Sequence, residues 1–90
     1  MPDQKSTHAD VVAYVRTRFR AALGSRPLTV STPLFSTGII DSFGVLELIA
    51  FLEEHFGVEI DPARHDLNDF DTVEKIAELV GRLRKTGDGR

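Results

Sequence analysis

The sequence predicts an all-α fold: a small bundle of three main helices and one short helical turn, with a long loop between the first and second helices. Three observations carry this. Apolar residues recur at three- and four-residue intervals in three separate segments, as in helices with one buried face. Each segment is bracketed by glycine, proline or a capping residue. No stretch alternates apolar and polar residues over the length of a strand. At 90 residues, 41% hydrophobic and 28% charged, the chain has the make-up of one globular domain with a modest core.

The first helix is expected to open at Thr7, where Asp10 three residues on completes a capping-box pattern. Val12, Val15, Phe19 and Ala22 supply its buried stripe, flanked by Val11 and Leu23. Gly24 is placed to end it with positive φ, and Pro27 forbids continuation. Arg16, Arg18 and Arg20 fall off the stripe and face water. Residues 25–40 form a loop of about 16 residues, long for a compact domain and therefore a functional suspect. Leu28, Val30, Leu34, Phe35, Ile39 and Ile40 give it the apolar side chains to pin itself over the helices.

The second helix spans Ser42 to Phe56, with Asp41 as N-cap and Gly57 closing it against Val58. Val45, Leu48, Ile49, Leu52 and Phe56 are enough for its core face. Phe43, Leu46 and Ala50 form a second apolar stripe, framed by Glu47, Glu53 and Glu54. Asp61-Pro62 breaks the chain, and Leu67 and Phe70 mark one short helical turn. Asp71, with Glu74 three residues later, caps a last helix whose stripe is Val73, Ile76, Ala77, Val80 and Leu83. Arg82, Arg84 and Lys85 in its final turn oppose the helix dipole. The expected core is Leu48, Ile49, Leu52, Phe56, Val73, Ile76 and Val80, packed with Val15 and Phe19. The domain is expected over residues 7–85, with flexible ends at 1–6 and 86–90.

Composition removes several function classes. A net charge of −3 is too balanced for a basic nucleic-acid binder, which carries a strong positive excess. The absence of cysteine excludes disulfides, thiolate metal sites and cysteine nucleophiles. No apolar run approaches the roughly 18 residues of a membrane span. Met1-Pro2-Asp3-Gln4-Lys5 is not followed by the apolar stretch of a signal peptide, so a cytoplasmic location is expected. Charge is unevenly placed: residues 1–40 hold five Lys/Arg and two Asp/Glu, residues 41–61 hold six Asp/Glu and no Lys/Arg, and residues 62–90 hold six of each. Such asymmetry marks either a partner surface or a solvated face.

The chemistry concentrates at Asp41-Ser42, where a constrained loop enters a helix. A phosphate ester on Ser42 would sit at the positive end of that helix. On capping statistics alone, both residues read first as capping residues. A serine hydrolase fails on geometry, because there is no Gly-x-Ser-x-Gly elbow. His55 lies on the same helix about 20 Å along its axis, at ~1.5 Å per residue, and only an accident of folding would bring His8 or His65 close. Glu53, Glu54, His55, Asp61, His65 and Asp66 are close in sequence but lack the spacing of a zinc motif. Asp66-x-Asn68-x-Phe70 starts like a calcium loop and then fails, so no metal site is expected.

Gly38 to Phe56 resembles the phosphopantetheine attachment region of acyl carrier proteins, in which Asp-Ser-Leu or a close variant precedes a Glu-Leu pair. Here those positions read Asp41-Ser42-Phe43 and Glu47-Leu48, with Glu53-Glu54-x-Phe56 behind. The likeness continues through Gly57-Val58-Glu59-Ile60 and Asp71-Thr72-Val73, and with the helix order it covers roughly residues 7–84. Phe43 stands where Leu is commonest, and Gly44 where fatty-acid carriers usually place an acidic residue. The string from Leu34-Phe35 to Phe43-Gly44 is closer to D-alanyl and other stand-alone aminoacyl carriers.

The resemblance implies a four-helix carrier that is not an enzyme. Its cofactor is 4'-phosphopantetheine, moved from coenzyme A onto the Ser42 oxygen, with Asp41 beside it, and carrying an acyl or aminoacyl group as a thioester. The implied partners are a phosphopantetheinyl transferase, a loading ligase and downstream acyl-transfer enzymes. They would dock on Phe43, Leu46, Glu47, Ala50, Glu53 and Glu54 of a monomer. The alternative is an unmodified helical interaction module with an acidic docking helix.

Overall fold

The computed structural model describes residues 4–88, and they are all-α. Four helices, α1 (Gln4–Arg18), α2 (Arg20–Leu23), α3 (Ser42–Phe56) and α4 (Val73–Asp88), are joined by the loop 24–41 and by two 3₁₀ turns, Pro62–Arg64 and Leu67–Phe70. α3 has the bounds its capping residues predict. Gly57 ends it in the left-handed region (φ 68°, ψ 34°), its N–H donating to the Glu53 carbonyl. Three long helices and a short turn near Leu67 match the expected bundle, with two additions: the first helix is two, and Pro62–Arg64 forms a further 3₁₀ turn.

The break falls at Phe19, whose φ of −112° and ψ of 31° leave the helical region. The buried stripe also differs from the expected one. Val11, Val15 and Leu23 are buried, whereas Val12 and Phe19 are half-buried and Ala22 is exposed. Thr7 is not the cap. The helix begins at Gln4, within the segment expected to be flexible, and Thr7 is 6% exposed inside it, one turn before Val11 on the packed face. Residues 1–3, also expected to be flexible, lie outside the described residues.

The loop is pinned as its apolar content predicts: Leu28, Leu34, Ile39 and Ile40 are buried. Its anchor is the start of α4. The Leu34 N–H donates to the Asp71 carbonyl at 2.7 Å, and the Phe35 N–H to Asp71 Oδ1 at 3.0 Å. This overturns the expected cap. With Asp71 turned to the loop, Thr72 Oγ1 accepts from the Lys75 N–H at 3.1 Å and caps α4 instead. The Glu74 N–H donates to the Val30 carbonyl, which completes the seam.

Leu48, Ile49, Leu52, Val73, Ile76, Val80 and Val15 are in the core. A side chain such as Leu48, fully buried, contributes about 1.5–3 kcal/mol by leaving water. Phe19 and Phe56 are half-buried at the rim rather than central. Both belong to an aromatic row on the α1–α3 face, where Phe51 meets Phe56 edge-on and Arg84 lies 5.9 Å from the Phe56 ring. α4 runs to Asp88, so Arg82 and Arg84 precede its last turn and only Lys85 of the three falls in it. Its helical residues 86–88 were expected to fray; residues 89–90 lie outside the described residues.

Candidate functional site

The loop delivers the chain to α3 along a path held from both sides. Ile39 and Ile40 are buried, the Ile40 N–H donates to the Leu34 carbonyl at 3.0 Å, and Gly38 turns with φ 79°. Asp41 therefore emerges at the surface in an extended conformation. Its Oδ1 accepts from the Gly44 N–H at 2.8 Å, and its carbonyl from the Val45 N–H at 3.0 Å. One carboxylate satisfies a first-turn donor that the helix leaves without a partner.

Ser42 is thereby relieved of capping. It is the exposed first residue of α3, and its hydroxyl makes no hydrogen bond to any described residue. Two of the histidines are engaged elsewhere. His55 stands in the last turn of the same helix, 3.0 Å from Asp10, and His65 faces Asp69 at 3.6 Å. An exposed, unencumbered hydroxyl at a helix N-terminus is well suited to being modified by another protein, and the surroundings fit a bulky phosphate ester: Phe43 beside it is 80% exposed.

Gly44 explains one departure of the motif in physical terms. A Cβ there would lie 2.8 Å from Phe19 Cε1, 3.0 Å from Ile40 Cγ2 and 3.3 Å from Asp41 Oδ1. The position is packed under the Phe19 ring and beside a carboxylate, so an acidic side chain meets both a clash and like charge. The bend at Phe19 and the glycine at 44 are two halves of one contact. Together with Ala22, Ile39, Phe43 and Leu46 they line an open cleft of about 510 Å³ beside Ser42. Neither Phe19 nor α2 stands out as part of this site in the sequence.

The second apolar stripe of α3 lies in solvent. Phe43 and Leu46, 55% exposed, are two of the three large exposed hydrophobic residues among those described, and Ala50 continues the strip. The three glutamates differ. Glu54 is exposed; Glu47 is paired with Arg18 of α1; and the half-buried Glu53 accepts the Ile60 N–H at 2.9 Å, which diverts it from the strip into the fold. Arg18 is a contributor that the sequence pattern does not reveal beyond the positive balance of residues 1–40. Next to this pair Tyr14 stacks on Phe51, with ring centroids 4.0 Å apart. Burial pushes the Tyr14 phenol above its ordinary pKa; Glu47 adds to the rise and Arg18 opposes it.

No group of three or more metal-ligating side chains comes together among the described residues, and no helix there is long and apolar enough to cross a membrane. Residues 13–80 match the model of the phosphopantetheine attachment site family. D-alanyl carrier proteins of Streptococcus mutans and Streptococcus sanguinis are each 39% identical over 51 residues, covering 57% of this chain and 65% of theirs. One from Streptococcus pyogenes is 37% identical over the same span. The match thus covers just under two thirds of these relatives' length.

Proposed function

The chain belongs to the phosphopantetheine attachment family, and on that premise we propose that Ser42 receives the 4'-phosphopantetheine arm and that the protein carries an acyl or aminoacyl unit between enzymes. The observation that supports this best is the division of labour at the α3 entrance. Asp41 caps the helix and leaves the Ser42 hydroxyl exposed and unbonded. When bound, the arm supplies a terminal thiol that holds cargo as a thioester. Everything else is presentation by this chain. Ser42 Oγ would attack the pantetheine-side phosphorus of coenzyme A, and the pyrophosphate P–O bond would break with adenosine 3',5'-bisphosphate leaving. The Ser42 proton would go to a base that the transferase must supply, and the resulting phosphodiester would sit at the positive end of α3. A carrier of this kind is not itself a catalyst.

The names of the relatives favour an aminoacyl cargo such as D-alanine. The partners on this reading are a phosphopantetheinyl transferase, a loading ligase and acyl-transfer enzymes, meeting a cytoplasmic monomer. The docking strip is Phe43, Leu46 and Ala50, with Glu54 and Glu47 as steering charges; Glu53 contributes least, because Ile60 holds it.

Intact mass tests the reading. Incubation with coenzyme A and a phosphopantetheinyl transferase should add one arm to the protein and none to Ser42→Ala. An unmodified wild-type chain would favour the alternative of an interaction module that uses the same strip. A modified Ser42→Ala would sink the assignment of the residue.

A further inference from the structure

Where α2 turns into the loop, Arg16, Arg20 and Arg26 line an open cleft of about 500 Å³ that includes no residue of α3. All three are exposed. Arg18, between the first two in sequence, has found a carboxylate in Glu47. Arg16 and Arg20 have no hydrogen-bond or ion-pair partner among the described residues. Arg26 uses one N–H, Nη1 donating to the Thr37 carbonyl at 2.9 Å, and leaves the rest of its guanidinium open.

This arrangement is unusual for so acidic a chain. Three other clefts among the described residues each carry two or three carboxylates, whereas none lines this one. The helix dipole accounts for Arg16 in the last turn of α1 and Arg20 in α2. It does not account for a third arginine from the loop gathered at the same cleft, where like charges repel. The floor is apolar, with Leu23 and Leu28 buried at its base.

We propose that this cleft is a second docking site, separate from the α3 strip, for an acidic and partly apolar segment of a partner protein. Charge complementarity names the chemistry, since planar guanidinium forks match carboxylates. Size names the scale: a single small anion fills little of about 500 Å³, whereas several side chains fit. The site also touches the route to Ser42, because Arg26 braces Thr37 in the loop that enters α3. A partner engaging this basic cleft as well as the acidic strip must present charges of both signs. That fixes its orientation on the carrier.

The test is an amide-shift titration of the unmodified full chain with the peptide Glu-Leu-Glu-Leu-Glu, so the result does not depend on Ser42 being the attachment residue. Saturable shifts should be confined to residues 16–28. The Arg16→Ser/Arg20→Ser variant, whose changes are at exposed positions, should weaken binding by about tenfold, and high salt should weaken it too. Arg64→Ser, in a different cleft, should stay within about twofold of wild type. Equal weakening by both variants, or no saturation at residues 16–28, would overturn the proposal. So would inorganic pyrophosphate that saturates the same amides at lower concentration than the peptide, since the cleft would then be a phosphate site.

Discussion

Helices α3 and α4 are both entered through an aspartate, a hydroxyl residue and an apolar residue: Asp41-Ser42-Phe43 and Asp71-Thr72-Val73. At α3 the aspartate caps the helix through the Gly44 N–H, the hydroxyl is left exposed, and Phe43 points into solvent. At α4 the aspartate is drawn off by Phe35 of the loop, the hydroxyl takes over the cap through Lys75, and Val73 is fully buried. The same local chemistry is consumed by the fold in one place and left available in the other. A free serine hydroxyl is thus a property of the whole arrangement: it exists because nothing competes with Gly44 for Asp41. Glu47 and Glu53 repeat the lesson, one paired at the surface and one held by the backbone.

The comparison breaks most decisively if the second hydroxyl can be modified. Thr72→Ser makes the two dipeptides alike, yet a transferase should still add a single arm, and Ser42→Ala/Thr72→Ser should gain nothing by intact mass. An arm on that double variant would show that exposure and capping do not select the site.

The two aspartates should differ next. Asp71→Ala strands the Phe35 N–H and loosens the loop, at a cost of about 1–3 kcal/mol. Asp41→Ala removes only an exposed cap, and Ser42 stands ready to replace it, so its cost should be about 1 kcal/mol or less. Denaturant unfolding of both variants measures the difference. Equal losses would mean that the hold of Asp71 on the loop is worth no more than an exposed cap.

A smaller effect tests the packing that shapes the α3 entrance. Alanine is favoured over glycine within a helix by up to ~1 kcal/mol, but at position 44 its Cβ meets the Phe19 ring. Gly44→Ala should therefore lose about 1–2 kcal/mol net, and Phe19→Leu should recover most of that loss in a double-mutant cycle. Additive losses would deny the contact.

The smallest effect is expected at Tyr14, which feels this region through Glu47. Folding raises the phenol pKa, so the stabilisation is fully present below the ordinary value of about 10 and disappears as pH climbs through the higher folded value. Tyr14→Phe should keep more of its stability than wild type in thermal melts above that range. Parallel melting curves would show that Tyr14 does not contribute to the alkaline transition.

Short-range rules read from the residues determined a good deal. The bounds of α3, the positive φ of Gly24, the buried face of α4 and the prominence of Ser42 all rest on hydrogen bonds and periodicities spanning four residues or fewer. The motif likewise indicated the family that residues 13–80 match. Tertiary structure decided which of several eligible partners each side chain took. Thr72 caps α4 because Phe35, 36 residues away, claims Asp71. Thr7 lies inside a helix because its face packs against the core. The first helix is interrupted at Phe19, which packs on Gly44, and Glu53 turns from the exposed apolar strip to Ile60. A capping pattern records that an oxygen could accept a nearby N–H. Whether it does depends on competing donors that only the folded chain brings within reach.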